Sequence, residues 1–292
     1  MTVDRSVPSP QNGTVRVELL FGSVEVVGWD TQHVRVRGTI PSVADGLDVD
    51  SDDEGVSIEI DIPDGWLTTK GDQADLRSDL TIHVPLASHV DVETLNASVA
   101  VRDVRGNVKV ESINGPIEVL GSDEIHDIDI ESMTGSVLVD APAAVVGVES
   151  IAGKVEIRGA RDSVSVESVS GEVRISGGPF REVVVETTSG SIDLDGAVAP
   201  QGSVGIETFS GNVGLSLPAA VKARFEIATF SGDIENDFGP AAAPDDDFDP
   251  HKELHFSTGL GGAEIAIETF SGSIRLRKGG VAANESVHKP GR

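Results

Sequence analysis

The stretch VESINGPIEVLGSDEIHDIDIESMTGSVLVDAPAAVVGVESIAGKVEIRGARDSVSVESVSGEVRI (Val110–Ile175) states one short pattern four times. Its copies are VESINGPIEV (110–119), IESMTGSVLV (130–139), VESIAGKVEI (148–157) and VESVSGEVRI (166–175). Further along the chain the pattern returns as VETTSGSIDL (185–194), IETFSGNVGL (206–215), IATFSGDIEN (227–236) and IETFSGSIRL (267–276). Upstream, VETLNASVAV (92–101) has Ala97 where the others have glycine, and VELLFGSVEV (17–26) reads as an opening copy. The glycines Gly115, Gly135, Gly153, Gly171, Gly190, Gly211 and Gly232 follow one another at 18–21 residues, and Gly272 comes 40 residues after Gly232.

Within each copy apolar and polar residues alternate, as in Val164, Val166, Val173 and Ile175. A period of two means strands with one buried face. Each copy therefore reads as strand, tight turn, strand, with the glycine supplying the positive φ or the small volume that the turn needs. A unit of that size cannot bury its apolar face alone, so successive copies must stack. The predicted fold is all-β, a single-stranded β-solenoid of about ten rungs. No window shows sustained helical spacing free of glycine or β-branched runs.

The expected organisation is a flexible segment over 1–14, one repeat domain over 15–277 and a disordered tail over 278–292. The repeat domain is irregular over 15–90 and regular over 91–277. Strands are expected around Val34–Ile40, Val56–Ile62 and Leu80–Val84, with a long loop over Asp64–Ser78. The Pro- and Asp-rich insertion DFGPAAAPDDDFDPHKEL (Asp237–Leu254) is expected to protrude as a loop.

Stacking in register turns equivalent positions into ladders with the ordinary strand spacing of about 4.8 Å. One ladder is apolar: Leu95, Ile113, Met133, Ile151, Val169, Phe209, Phe230 and Phe270, with Thr188 as the exception. Its expected place is a filled corner of the core; the alternative is an aromatic strip that binds sugar. A second ladder is acidic: Glu93, Glu111, Glu131, Glu149, Glu167, Glu186, Glu207 and Glu268, interrupted by Ala228. Neighbouring exposed carboxylates about 5 Å apart repel by about 0.8 kcal/mol. Hydrogen bonds from turn N–H groups or from the adjoining Ser/Thr ladder are the expected relief, and cation binding or protonation of some members are the alternatives.

The chain has 292 residues, 22 Lys+Arg, 49 Asp+Glu and a net charge of −27, with no cluster of basic residues. Nucleic acid is therefore not an expected partner, because phosphate contacts need clustered Lys and Arg. Absence of cysteine removes thiolate catalysis, thiolate metal sites and disulfides. No stretch has signal-peptide or membrane-spanning character, so a cytoplasmic protein without direct membrane insertion is expected. The nucleophile elbow, H-E-x-x-H, the phosphate loop and the EF-hand pattern are missing, and no cofactor or catalytic residue is expected. Asp245, Asp246, Asp247 and Asp249, with His251, form the one unrepeated acidic cluster. They could supply oxygen ligands to a divalent cation, yet at no recognised spacing, and the preferred reading is a solvated loop.

The run SDLTIHVPLASHVDVETLNASVAV (Ser78–Val101), followed by the V-E-S-x-x-G-x-V-x-V units, resembles the bacterial Toastrack family of adhesin-like β-strand-repeat domains. The resemblance spans about residues 15–277. It implies a link to cell-envelope stress systems and a partner that is a membrane or regulatory protein, and it carries no catalytic residues. The resulting expectation is a non-catalytic binding or scaffold protein with partner contacts at Asp64–Ser78 and Asp237–Leu254. Its alternatives are a carbohydrate-active β-helix and a divalent-cation-binding surface. End-to-end self-association is a further reading, because uncovered end rungs template strand addition and the tail is too polar to cover one of them.

Overall fold

A computed structural model describes residues 1–63, 76–121, 125–241, 243–244, 251–260 and 262–279. Among these residues the regular structure is β-strand, and no helix is long and apolar enough to cross a membrane. Where the sequence suggests one repeat domain, the chain forms two compact units. One comprises Met1–Arg158 and Val166–Ser170; the other comprises Gly159–Ser165 and Gly171–Arg292. The change falls where short paired strands give way to the long strands Val173–Ser189 and Ile192–Ser210.

In the first unit the two strands of a copy do not pair with each other. Each pairs in parallel with the same strand of the adjacent copy, which is the β-solenoid arrangement. Ile125–Thr134 lies between Val108–Asn114 and Ala143–Ala152, with Glu131 opposite both Glu111 and Glu149. After the bend, Val137–Asp140 lies between Ile117–Leu120 and Val155–Ala160. The bend itself remains in the ladder: the Gly135 N–H donates to the Ala152 carbonyl at 3.2 Å, and Val137 to Lys154 at 2.8 Å. Val110, Ile130 and Val148 before the bend and Val119, Val139 and Ile157 after it are all at most 2% exposed. Burying each contributes about 1.5–3 kcal/mol.

The opening copy, Thr14–Trp29, is not outermost. On one side it pairs with His89–Arg102 (Val17 opposite Val92, Val26 opposite Val101). On the other it takes Gly55–Asp61 and Arg77–Pro85, with Val17 opposite Ile58 and Val26 opposite Ile82. Antiparallel strands then close this end. Gly46–Ser51 pairs with Gly55–Asp61, His33–Thr39 with Arg77–Pro85, and Thr2–Pro8 with His33–Thr39. The expectation of a flexible segment over 1–14 is therefore corrected. Residues 2–8 are ordered by the open edge of His33–Thr39 and by Asp4, which meets Arg35 at 2.8 Å and Arg37 at 3.4 Å.

In the second unit Val173–Ser189 pairs with Ile192–Ser210 from Val173 opposite Ile192 to Ser189 opposite Ser210, with irregularities around Gly177, Phe180 and Glu182. The next strand in space is Ala263–Ser271, the last copy in sequence, with Ile267 opposite Ile206. Ala223–Ser231 lies beyond it, Ile227 opposite Ile267. The second strands follow the same order: Val213–Leu217, Ile274–Lys278, Ile234–Asn236. The expected protruding insertion is corrected in its described part. Lys252–Ser257 runs antiparallel along Ala223–Ser231 and covers it. Phe225 is 0% exposed beneath Phe256, whose ring is parallel to within 2° at 4.4 Å, and Phe238 lies at 5.8 Å. Asp245, Asp246, Asp247 and Asp249 lie outside the described residues, as do most of the loop expected over Asp64–Ser78 and nearly all of the tail.

Candidate functional site

Strand parity decides which side chains can meet a partner. Counting from the buried Val110, Glu111 points out, Ser112 in and Ile113 out, and the same count applies in every copy. The Ser/Thr ladder is accordingly the inner one: Ser112, Ser132, Ser150, Ser168, Thr187, Thr208 and Thr269 are 5–8% exposed and Thr229 is 0%. Its hydroxyls bond largely among themselves or to backbone, as in Thr94 Oγ1 to Ser112 Oγ at 3.0 Å, Thr187 Oγ1 to Thr208 Oγ1 at 2.8 Å and Thr229 Oγ1 to the Gly272 carbonyl at 3.0 Å. The hydroxyls of Ser132, Ser150, Ser168 and Thr269 have no hydrogen-bond partner among the described residues.

The apolar ladder is the outer one, which corrects the expectation of a filled core corner. Ile113, Met133 and Ile151 are 46–47% exposed, and Phe209, Phe230 and Phe270 are 47–60% exposed. The signal was present in the sequence, since each of these residues stands an odd number of positions from a buried valine or isoleucine. Hydrophobicity pointed inward and parity pointed outward.

In the second unit the phenylalanines stack in the spatial order of their strands. Phe209 and Phe270 are 5.0 Å apart and 2° from parallel; Phe270 and Phe230 are 4.8 Å apart and 7° from parallel. Both faces of Phe270 are thus taken by rings, and the outer face of Phe230 looks toward His251, 6.5 Å away. A pyranose stacks on an open aromatic face, and Phe270, held between two rings, offers none.

Beside the apolar row runs the glutamate row, two residues earlier on each strand. Glu93, Glu111, Glu131 and Glu149 lie in register in the first unit, and Glu186, Glu207 and Glu268 in the second. Ala228 follows Glu268 in that row, and Glu167 occupies the equivalent place in its copy. The expected hydrogen bonds from the Ser/Thr ladder cannot form, because those hydroxyls point to the opposite side of the strand. Lys109 lies 2.5 Å from Glu111. Among the described residues no ion pair holds Glu186, Glu207 or Glu268, and no group of three or more His, Asp or Glu is placed to hold a metal ion. Glycosidase chemistry needs one carboxyl shielded from water opposite a second; these carboxylates stand in a solvent-facing row.

The outward charges after the bend are treated differently. Lys154 Nζ meets Glu156 at 2.6 Å, and Arg158 bonds both Glu156 and Asp140. The hydrogen bond from Lys154, then that from Arg158, holds the Glu156 carboxyl below its ordinary range. Charge is compensated there and left open beside the phenylalanines.

The glycines fix how closely copies approach. Gly135 has φ 143°, and a Cβ built on it would lie 2.1 Å from the Gly115 carbonyl oxygen; on Gly190, with φ 138°, it would lie 1.8 Å from that of Gly171. Gly153, Gly211, Gly272 and Gly232 each face the carbonyl of the neighbouring copy's glycine in the same way.

Several solved structures are similar to this chain. One is described as a "putative adhesin" from Bacteroides fragilis NCTC 9343, with 12% identity, 94% of this chain and 97% of that one covered and a TM-score of 0.44. Another is a "putative lipid binding protein" from Parabacteroides distasonis ATCC 8503, with 14% identity, coverage of 95% and 97% and a TM-score of 0.40. A "putative cell adhesion protein" from Clostridium sporogenes ATCC 15579 has 11% identity, coverage of 96% and 100% and a TM-score of 0.23. No curated protein matches the chain. Residues 48–277, more than three quarters of the sequence, match the Toastrack DUF4097 model, and the chain belongs to that family.

Proposed function

We propose that the chain is a non-catalytic binding protein whose solenoid units act as a rigid scaffold and whose contact surface is the outer face of the strands before the bend. The observation that carries this reading is the apolar row at Ile113, Met133 and Ile151 and at Phe209, Phe270 and Phe230, each about half exposed. Apolar side chains aligned on an open strand face cost solvation that a partner recovers by covering them. A scaffold suits this role because register fixes the spacing of the contacts before the partner arrives, lowering the entropy of binding.

In this reading the protein works from the cytoplasm on an envelope-linked membrane or regulatory protein. The test places a photo-crosslinking amino acid singly at position 151, 270, 174 or 253 and identifies adducts formed in the native host by mass spectrometry. One protein captured from 151 or 270, and not from Arg174 on the strand after the bend, is expected. Capture from 253 alone would move the contact to the insertion, and an absence of adducts at 151 and 270 would overturn the reading.

A further inference from the structure

The ladder face of the second unit joins three features. Phe209, Phe270 and Phe230 form a ridge of ring edges. Glu186, Glu207 and Glu268 form a parallel row without an ion pair among the described residues. On the far side of that row, Gly205 and Ala266 stand opposite each other in register and leave the carboxylates unobstructed, with nothing within 4 Å of the place a Gly205 Cβ would occupy.

Resting on the binding-face reading above, we infer that this ridge and row receive a cationic amphipathic helix, its apolar stripe on the phenylalanines and its Lys or Arg side chains on Glu207 and Glu268. Spacing selects the helix. The rings repeat every 4.8–5.0 Å. A helix returns a side chain to one face about every 5.4 Å, so three successive turns stay within about 1 Å of three successive rings. An extended chain returns to one face about every 6.6 Å and loses register by the third ring.

Charge selects the sign. The uncompensated carboxylates lie two residues from the ridge along each strand, which places them about 7 Å away, within reach of a lysine flanking the apolar stripe. The net charge of −27 steers a cationic segment toward the protein and repels anionic surfaces.

The probe is a fluorescently labelled peptide of about 15 residues built from Leu and Lys, with Leu at i, i+3, i+4 and i+7. Its control has the same composition scrambled so that no apolar stripe forms. Anisotropy titrations compare the wild type with the F209A/F270A pair and the E207Q/E268Q pair, each first shown to melt like the wild type; F230A replaces F209A/F270A if that pair does not. The striped peptide is expected to bind the wild type at least about tenfold more tightly than its scramble. Each pair of substitutions is expected to weaken binding about tenfold, and E207Q/E268Q to flatten the salt dependence.

Equal binding of the scramble, or wild-type affinity in either variant, would reduce the interaction to diffuse charge and overturn the proposal. Sedimentation with zwitterionic lipid vesicles supplies the other arm: association that needs the phenylalanines and not the glutamates would overturn it in favour of a membrane contact. If crosslinking still places a partner on position 270 while the striped peptide binds no better than its scramble, the helix assignment fails and the binding face stands.

Discussion

In every copy one residue is apolar and outside while its neighbour is polar and inside. At Ile151 and Ser150 hydrophobicity alone would exchange the two, but a one-residue slip would also turn out Val146 and Val148 and every equivalent pair in adjacent copies. Many buried valines and isoleucines outweigh one exposed isoleucine per rung, and a serine is small enough to accept the interior. This is why the alternation in the sequence located the core correctly while the apolar ladder was misplaced. The turn glycines were legible from their period, and their cause lies in backbone approach. Gly190→Ala should cost about 3 kcal/mol or more, because its Cβ would fall 1.8 Å from a carbonyl oxygen at a φ of 138°. Gly205→Ala, in open space, should change stability by less than about 0.5 kcal/mol. Urea unfolding of the two variants gives the comparison, and similar stabilities would contradict it.

Strands were readable where their neighbours in space are copies of themselves. Ile125–Thr134 shares its pattern with both partners, so the period of the sequence already contained the register. At the ends of the stack that relation fails. Thr2–Pro8, Gly46–Ser51 and Lys252–Ser257 pair antiparallel with partners they do not resemble; the first two bury too little to show an alternation, and the third alternates only through Leu254 and Phe256. The displaced order of the last two copies was hidden for the same reason: near-identical repeats give the sequence no means of distinguishing adjacent places in the stack. Lys252–Ser257 takes the covering role for which the tail is too polar. Phe256→Ala should therefore destabilise the second unit by about 3 kcal/mol through loss of the ring parallel to Phe225. Hydrogen exchange should quicken first along Lys252–Ser257 and Ala223–Ser231, and unchanged protection there would show that the strand is not a structural cover.

For the molecule as a whole, composition was informative about what it avoids and silent about where the surface chemistry lies. A charge of −27 does not distinguish Glu156, paired with Lys154 and Arg158, from Glu207, which has no ion pair among the described residues. That distinction lies in the local sequence, because Lys154 and Arg158 stand two residues to either side of Glu156 on the same strand face, whereas Gly205 and Phe209 flank Glu207. The division into two units falls within 159–171, inside a run of copies that reads as uniform in sequence.

The outward placement of the apolar row underlies the functional reading, and the absence of native cysteine allows it to be measured without background. Single variants Ile151→Cys, Phe270→Cys, Ser150→Cys and Thr269→Cys would be exposed to a thiol reagent under native conditions and the labelling rates compared with those of the unfolded chain. Rapid native labelling at 151 and 270, with protection at 150 and 269 until unfolding, is the predicted result. Protection at 151 and 270 with rapid labelling at 150 and 269 would contradict it, returning the apolar ladder to the core and removing the surface on which the proposed binding rests.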